Sequence, residues 1–151
     1  HFETYVRQNH LKDIIALPGA IDVLQTLKKL GIPTGVVSNK KGAFIRAEIT
    51  NFGWDHFFVS IVGAAEAAHD KPSGAPLLLA IEKANIPHPP SDIWFVGDTE
   101  TDLACAKEAG SPCIFVTTPH SEQPYSEKYS PALVVANCHA LNDFLLQYSQ
   151  N

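Results

Sequence analysis

Three features of this 151-residue chain predict an α/β domain with a mainly parallel sheet. Apolar runs of strand length alternate with stretches of helical periodicity almost from end to end. The strand candidates are continuous apolar runs, as expected when helices cover both faces of a sheet. Gly and Pro punctuate the joins, where the chain must turn.

Residues 4–15 (TYVRQNHLKDII) read as the end of a helix that Pro18-Gly19 breaks. In 20–30 (AIDVLQTLKKL), Ile21, Leu24 and Leu27 recur at helical spacing, two lysines fall in the last turns, and Gly31 follows as a stop signal. TGVVSN (34–39) reads as a short strand and 41–53 as an amphipathic helix with Phe44, Ile45, Ile49 and Phe52 inward. FFVSIV (57–62) is the next strand. A small-residue loop (63–74) leads into a helix over 75–85 with Pro76 in its first turn, where proline is tolerated. DIWFVG (92–97) is a strand, 99–110 a helix and 112–118 a strand. After the polar loop 119–131, an edge strand over 132–137 and a helix over 139–149 close the chain.

The net charge of -5 and pI near 5.7 argue against a nucleic-acid binder, which would carry a basic face. No apolar run approaches the ~20 residues of a membrane span, and the N-terminal stretch lacks the apolar segment of a signal peptide. Three irregularly spaced cysteines, Cys105, Cys113 and Cys138, do not form a disulfide framework; they suit buried positions in a reducing compartment, so a cytoplasmic protein is expected. The seven histidines show no ligand spacing. The chain holds no Met and starts at His1, which points to a processed or trimmed piece.

In a parallel sheet, ligands bind beyond the C-terminal strand ends. Polar residues stand at three of them. The first strand ends in Ser38-Asn39-Lys40 before a helix, whose free N–H groups favour an anion; the Ser38 hydroxyl and the Asn39 amide could add hydrogen bonds, or could simply cap the helix. The loop after the second strand carries Lys71 before Pro72, a candidate fixed charge for a phosphate, with His69 and Asp70 as lesser candidates. The third strand ends in GDTETD (97–102), where Gly97 permits a close approach and Asp98 and Asp102 lie one turn apart. Such an acidic pair suits Mg²⁺. It equally suits a decorated helix start, with Thr99 or Thr101 as cap. Together the three ends hold what phosphoryl transfer needs: phosphate donors, fixed positive charge and a metal.

These motifs resemble those of the haloacid dehalogenase superfamily, especially its phosphoglycolate-phosphatase-like members. VVSN with Ser38 is similar to the family's second motif, Lys71-Pro72 to its third and GDTETD, with Asp98 and Asp102, to its fourth. Gly74 stands where many relatives carry proline. The resemblance implies a three-layer Rossmann-like core over 18–151, preceded at 1–17 by the last helix of a helical cap and a linker. It implies a Mg²⁺-dependent phosphatase acting on a small phosphorylated metabolite through an aspartyl-phosphate. Asp98 and Asp102 would be the metal residues, Ser38, Asn39 and Lys71 the phosphate-binding ones, and Ser38 and Lys71 the catalytic ones.

One motif is missing. The family's nucleophile lies in Asp-x-Asp at the end of a first strand, and Asp13, Asp22, Asp55 and Asp70 are in the wrong setting for it. The first strand is therefore expected to lie upstream of His1, and the chain alone is expected to be inactive. In the resembled fold that strand runs between those ending at Asn39 and Gly97, so two apolar edges should stand open here. Three other readings remain. The chain could be a non-catalytic fragment or degenerate relative that binds phosphate, metal or a partner. A phospho-receiver domain would need its lysine after the acidic cluster, whereas Lys71 precedes it. A dehalogenase would need no Mg²⁺.

Overall fold

The computed structural model describes residues 18–117 and 128–149. The helix expected over 4–15, the 1–17 region and most of the loop 119–131 lie outside the described residues. The rest alternates as the sequence implies: α1 (Ala20–Lys29), β1 (Gly35–Lys41), α2 (Gly42–Asn51), β2 (Ser60–Ala64), α3 (Ala75–Lys83), β3 (Phe95–Gly97), α4 (Glu100–Ala109), β4 (Cys113–Val116), β5 (Leu133–Val135) and α5 (Cys138–Tyr148). Every strand pairing among the described residues is parallel.

The strands separate two cores by strict alternation. Val36 of β1 and Ile114 and Val116 of β4 enter one core, with Val23 and Leu24 of α1, Ile45 and Ile49 of α2 and Leu141 and Leu145 of α5. Val37, Cys113 and Phe115 point the other way, into a core with Leu77 and Ala80 of α3 and Leu103 and Ala106 of α4. Successive strand residues face opposite sides, so burial on both faces requires the continuous apolar runs seen in the sequence. Three layers result: helix, sheet, helix.

Two strands start later than the sequence suggests, for one reason. Residues 55–57 form a 3-10 turn, with Phe57 N–H bonded to the Trp54 carbonyl, so β2 begins only at Ser60. Residues 90–92 form another, with Ile93 N–H bonded to the Pro90 carbonyl, so β3 begins at Phe95. Apolar composition alone does not distinguish a strand from a buried turn that leads into it.

The sheet is in two parts, β1–β2 and β3–β4–β5. β1 and β3 both border an apolar cavity of about 810 Å³, lined by Val36 and Val37 from β1, Phe95 and Val96 from β3, Leu77 from α3 and Leu141 from α5. It is a groove open to solvent rather than an enclosed void, because exposed side chains such as Ile32, Val59 and Trp94 also line it. It lies between the two strand edges that the sequence expectation left open.

Among the described residues no strand pairs β1 with β3 across this groove, which should leave the 151-residue chain loosely packed and prone to association. By calorimetry it should melt broadly with a small enthalpy, and it should bind the dye ANS in native buffer. A sharp two-state melt of a monomer without dye binding would contradict this.

Candidate active site

Lys71 joins the strand ends. It lies seven residues past β2, and its Nζ donates to Asp102 Oδ1 at 2.8 Å and to the Val37 carbonyl of β1 at 3.3 Å. The Lys71 and Asp102 side chains are each only 1% exposed. The middle of β1, the loop after β2 and the start of α4 beyond β3 therefore meet at one ammonium group.

Asp102 shows how GDTETD folds. Thr99 is the N-cap of α4: its Oγ1 accepts from the Asp102 amide, and Asp102 Oδ2 accepts from the Thr99 amide, completing a capping box. Asp102 Oδ2 also accepts from the Asp98 amide at 3.1 Å. The helix-start reading thus holds for Asp102, with Thr99 rather than Thr101 as cap. The other carboxylate oxygen serves the ion pair. Gly97 makes this possible: a Cβ there would stand 2.7 Å from Asp102 Oδ2, closer than real Cβ contacts come, so any larger residue would push the carboxylate out. Burial alone raises the Asp102 carboxyl. Nearby positive charge, including the Lys71 ammonium and its hydrogen bond, and the Asp98 amide more than offset that and hold it below the ordinary carboxylate range.

Ser38 is buried, and its Oγ accepts from the Lys40 amide at 3.0 Å. Neither Ser38 nor Asn39 caps α2, because β1 continues through Lys41, which is itself the N-cap residue. The Asn39 carboxamide bonds instead to the Lys71 backbone, donating to its carbonyl at 3.0 Å and accepting from its amide at 3.1 Å. Asp98 is half-buried at the tip of β3. Asn39, Lys71, Asp102 and Asp98 therefore form one hydrogen-bonded chain, with Ser38 adjoining it between Val37 and Asn39. Asp70 accepts from the Ala65 amide and ties the loop to itself; His69 is exposed.

Several supporting residues escaped the sequence reading. Glu108 of α4 accepts from Ser73 Oγ and the Gly74 amide, holding the far side of the Lys71 loop. Lys40 pairs with the buried Glu48, and Glu66 with Arg46 and the Gly63 amide. Their only sequence signal is charge, which any solvated helix, strand or loop shares. Cys105, Cys113 and Cys138 are free and buried. Burial pushes the Cys105 and Cys113 thiols up to about 12, so neither is poised as a nucleophile.

Mg²⁺ commonly takes one or two carboxylates and completes its shell with water and phosphate oxygens. Asp98 is an oxygen donor of that kind at the strand-end rim. Asp102 has both oxygens engaged, and among the described residues no group of three or more His, Cys, Asp and Glu could hold a metal. An ion here would rely mostly on substrate and solvent oxygens, with Asp98 as the candidate carboxylate and Asp102 supporting the turn beneath it.

The parallel three-layer fold thus brings a buried lysine and an acidic helix start together beyond its strands. Residues 1–116 match the family described as haloacid dehalogenase-like hydrolase, and the chain belongs to it. Phosphoglycolate phosphatase 1 of Pseudomonas aeruginosa is 31% identical over 136 residues, covering 89% of this chain and 48% of that protein. Phosphoglycolate phosphatase of Escherichia coli (strain K12) is 27% identical over 154 residues, covering 99% of this chain and 59% of that protein. A HAD-superfamily hydrolase from Ehrlichia chaffeensis superposes with a TM-score of 0.77 at 32% identity, over 89% of this chain and 60% of that one. CbbY from Rhodobacter sphaeroides, solved in complex with phosphate, superposes with a TM-score of 0.72 at 25% identity, over 85% and 56%. The chain thus spans about half to three-fifths of the length of these relatives.

Removing one partner of a buried ion pair leaves the other charge uncompensated, at a cost of about 3–5 kcal/mol. Lys71→Met should therefore destabilise strongly, and Asp102→Asn in the same chain should recover part of the loss. Urea unfolding of the two single variants and the double variant measures the coupling. Additive losses would show that the pair does not interact as its 2.8 Å separation implies.

Proposed function

We propose that the protein carrying this chain is a Mg²⁺-dependent phosphatase that hydrolyses a small phosphomonoester. The observation that carries this reading is the buried Lys71 ammonium, held between Asp102 at the helix start beyond β3 and the Val37 carbonyl of β1. A buried ion pair adds little net stability over apolar residues of similar volume. Its placement at the ligand edge of a parallel sheet suits a charge that meets a phosphoryl group.

In this reading the Ser38 hydroxyl and the backbone amide of Asn39 donate to the transferring phosphoryl oxygens. Lys71 offsets their charge and orients the nucleophilic carboxylate. The ester P–O bond breaks as a carboxylate oxygen–phosphorus bond forms and the alcohol leaves; water then cleaves the acyl phosphate to release phosphate. Among the described residues only Asp98 and Asp102 stand at strand ends, so the reading requires the nucleophile from a segment outside them. Bound Mg²⁺ would neutralise phosphoryl charge, with Asp98 as its carboxylate and Asp102 beside it. The relatives named phosphoglycolate phosphatase support a small phosphorylated metabolite as substrate. No helix among the described residues is long and apolar enough to cross a membrane. The buried free cysteines go with a cytoplasmic location.

One observation favours a second reading for the chain by itself. The groove between β1 and β3, with no Asp-x-Asp strand end among the described residues, fits a non-catalytic piece that binds phosphate, metal or a partner segment.

Assays of the intact protein on small phosphate esters separate the two. Asp98→Asn should lower kcat/KM by about 10²–10³ with the circular dichroism spectrum unchanged, and EDTA should abolish turnover until Mg²⁺ is restored. Full activity in EDTA would overturn the metal role. Absence of turnover by the intact protein across such esters would favour the binding module.

A further inference from the structure

The Lys71 ammonium is fixed by Asp102, but a long side chain is only as well placed as its backbone. Here the backbone belongs to a loop. Lys71 follows a run of small residues and precedes Pro72, and no strand pairs with it. A side chain takes the place of such a strand. Asn39 Nδ2 donates to the Lys71 carbonyl at 3.0 Å, and Asn39 Oδ1 accepts from the Lys71 amide at 3.1 Å. Two reciprocal bonds to one residue reproduce the hydrogen-bonded pair of an antiparallel ladder. Glu108 of α4 holds the residues two and three positions on, through Ser73 Oγ and the Gly74 amide. The lysine stem therefore leaves a backbone anchored on both β1 and α4, and its tip reaches the Val37 carbonyl two residues from Asn39.

We propose that Asn39 is a positioning residue, whose carboxamide latches the Lys71 backbone to the end of β1 and so sets where the ammonium stands. Its importance for catalysis rests on the phosphatase reading; the latch itself does not. Substitution should act on Lys71 first and on bound phosphate only through it.

Amide hydrogen exchange and titration with inorganic phosphate, both on the intact protein, test this. In the unaltered protein the Lys71 amide should be protected although it lies in a loop. Asn39→Ala should speed its exchange by about fivefold to tenfold, the worth of one hydrogen bond, while amides of β2 and α4 keep their rates. The Lys71 Nζ resonance should shift, and phosphate affinity should fall several-fold. Asn39→Asp, which retains only the acceptor, should fall between. Uniformly faster exchange through β1, β2 and α4 would reduce Asn39 to a general stabiliser and overturn the proposal. Weaker phosphate binding with the Lys71 amide and Nζ signals unchanged would make Asn39 a direct ligand and overturn it as well. Should Asn39→Ala fail to fold, an unprotected Lys71 amide in the unaltered protein overturns the latch, and a protected one supports it. If Lys71→Met leaves phosphate affinity intact while Asn39→Ala still frees the Lys71 amide, the latch stands and the phosphatase reading falls.

Discussion

Lys71 and Asp102 face each other at 2.8 Å with almost no solvent access to either, and three elements meet in that contact. The loop after β2 delivers the lysine. α4 delivers the carboxylate, already turned inward by its own capping box. β1 contributes the Val37 carbonyl. Charges this deep are tolerated only when paired and hydrogen-bonded, so the pair dictates what surrounds it. Gly97 must lack a side chain, Thr99 must cap, and the lysine loop must be held from both sides. The acidic turn GDTETD is therefore both a helix start and part of the site. Asp102 satisfies the helix with one oxygen and the lysine with the other.

This contact also spans the division in the sheet. β1–β2 and β3–β4–β5 are separate ladders. Backbone hydrogen bonding, which normally makes a sheet rigid, does not set the spacing of the two groups of strand ends. Among the described residues, side chains at the rim do this work: Lys71 to Asp102, and Asn39 to the Lys71 backbone. In such an arrangement the geometry of the site depends on a few polar contacts rather than on the ladder beneath it.

Much of this was legible in the sequence. Continuous apolar runs gave the parallel layers, and the rule placing ligands beyond strand ends selected Ser38, Asn39, Lys71, Asp98 and Asp102 from among all the polar residues. What these side chains do to one another was not legible. Whether Asn39 caps a helix, meets an anion or grips a loop depends on where a residue 32 positions away comes to rest, and local pattern carries no such information. The same holds for Glu108, which looks like any helical glutamate until Ser73 and Gly74 are placed against it. The strand starts at Ser60 and Phe95 shifted because short turns with apolar side chains carry the same composition as strand ends. VVSN lies within β1 and GDTETD begins on the last residue of β3, where local chemistry and topology coincide, whereas Lys71-Pro72 stands in the loop past β2 and reaches them only through the fold.

The groove between β1 and β3 has a mechanical consequence. About 810 Å³ of largely apolar-lined space, open to solvent, is bordered by both strands, and no backbone ladder among the described residues joins them. A change in their separation therefore breaks no strand pairing. What resists it at the rim is the contact of the lysine with the aspartate, so that one ion pair acts as a clasp across the seam between the two half-sheets.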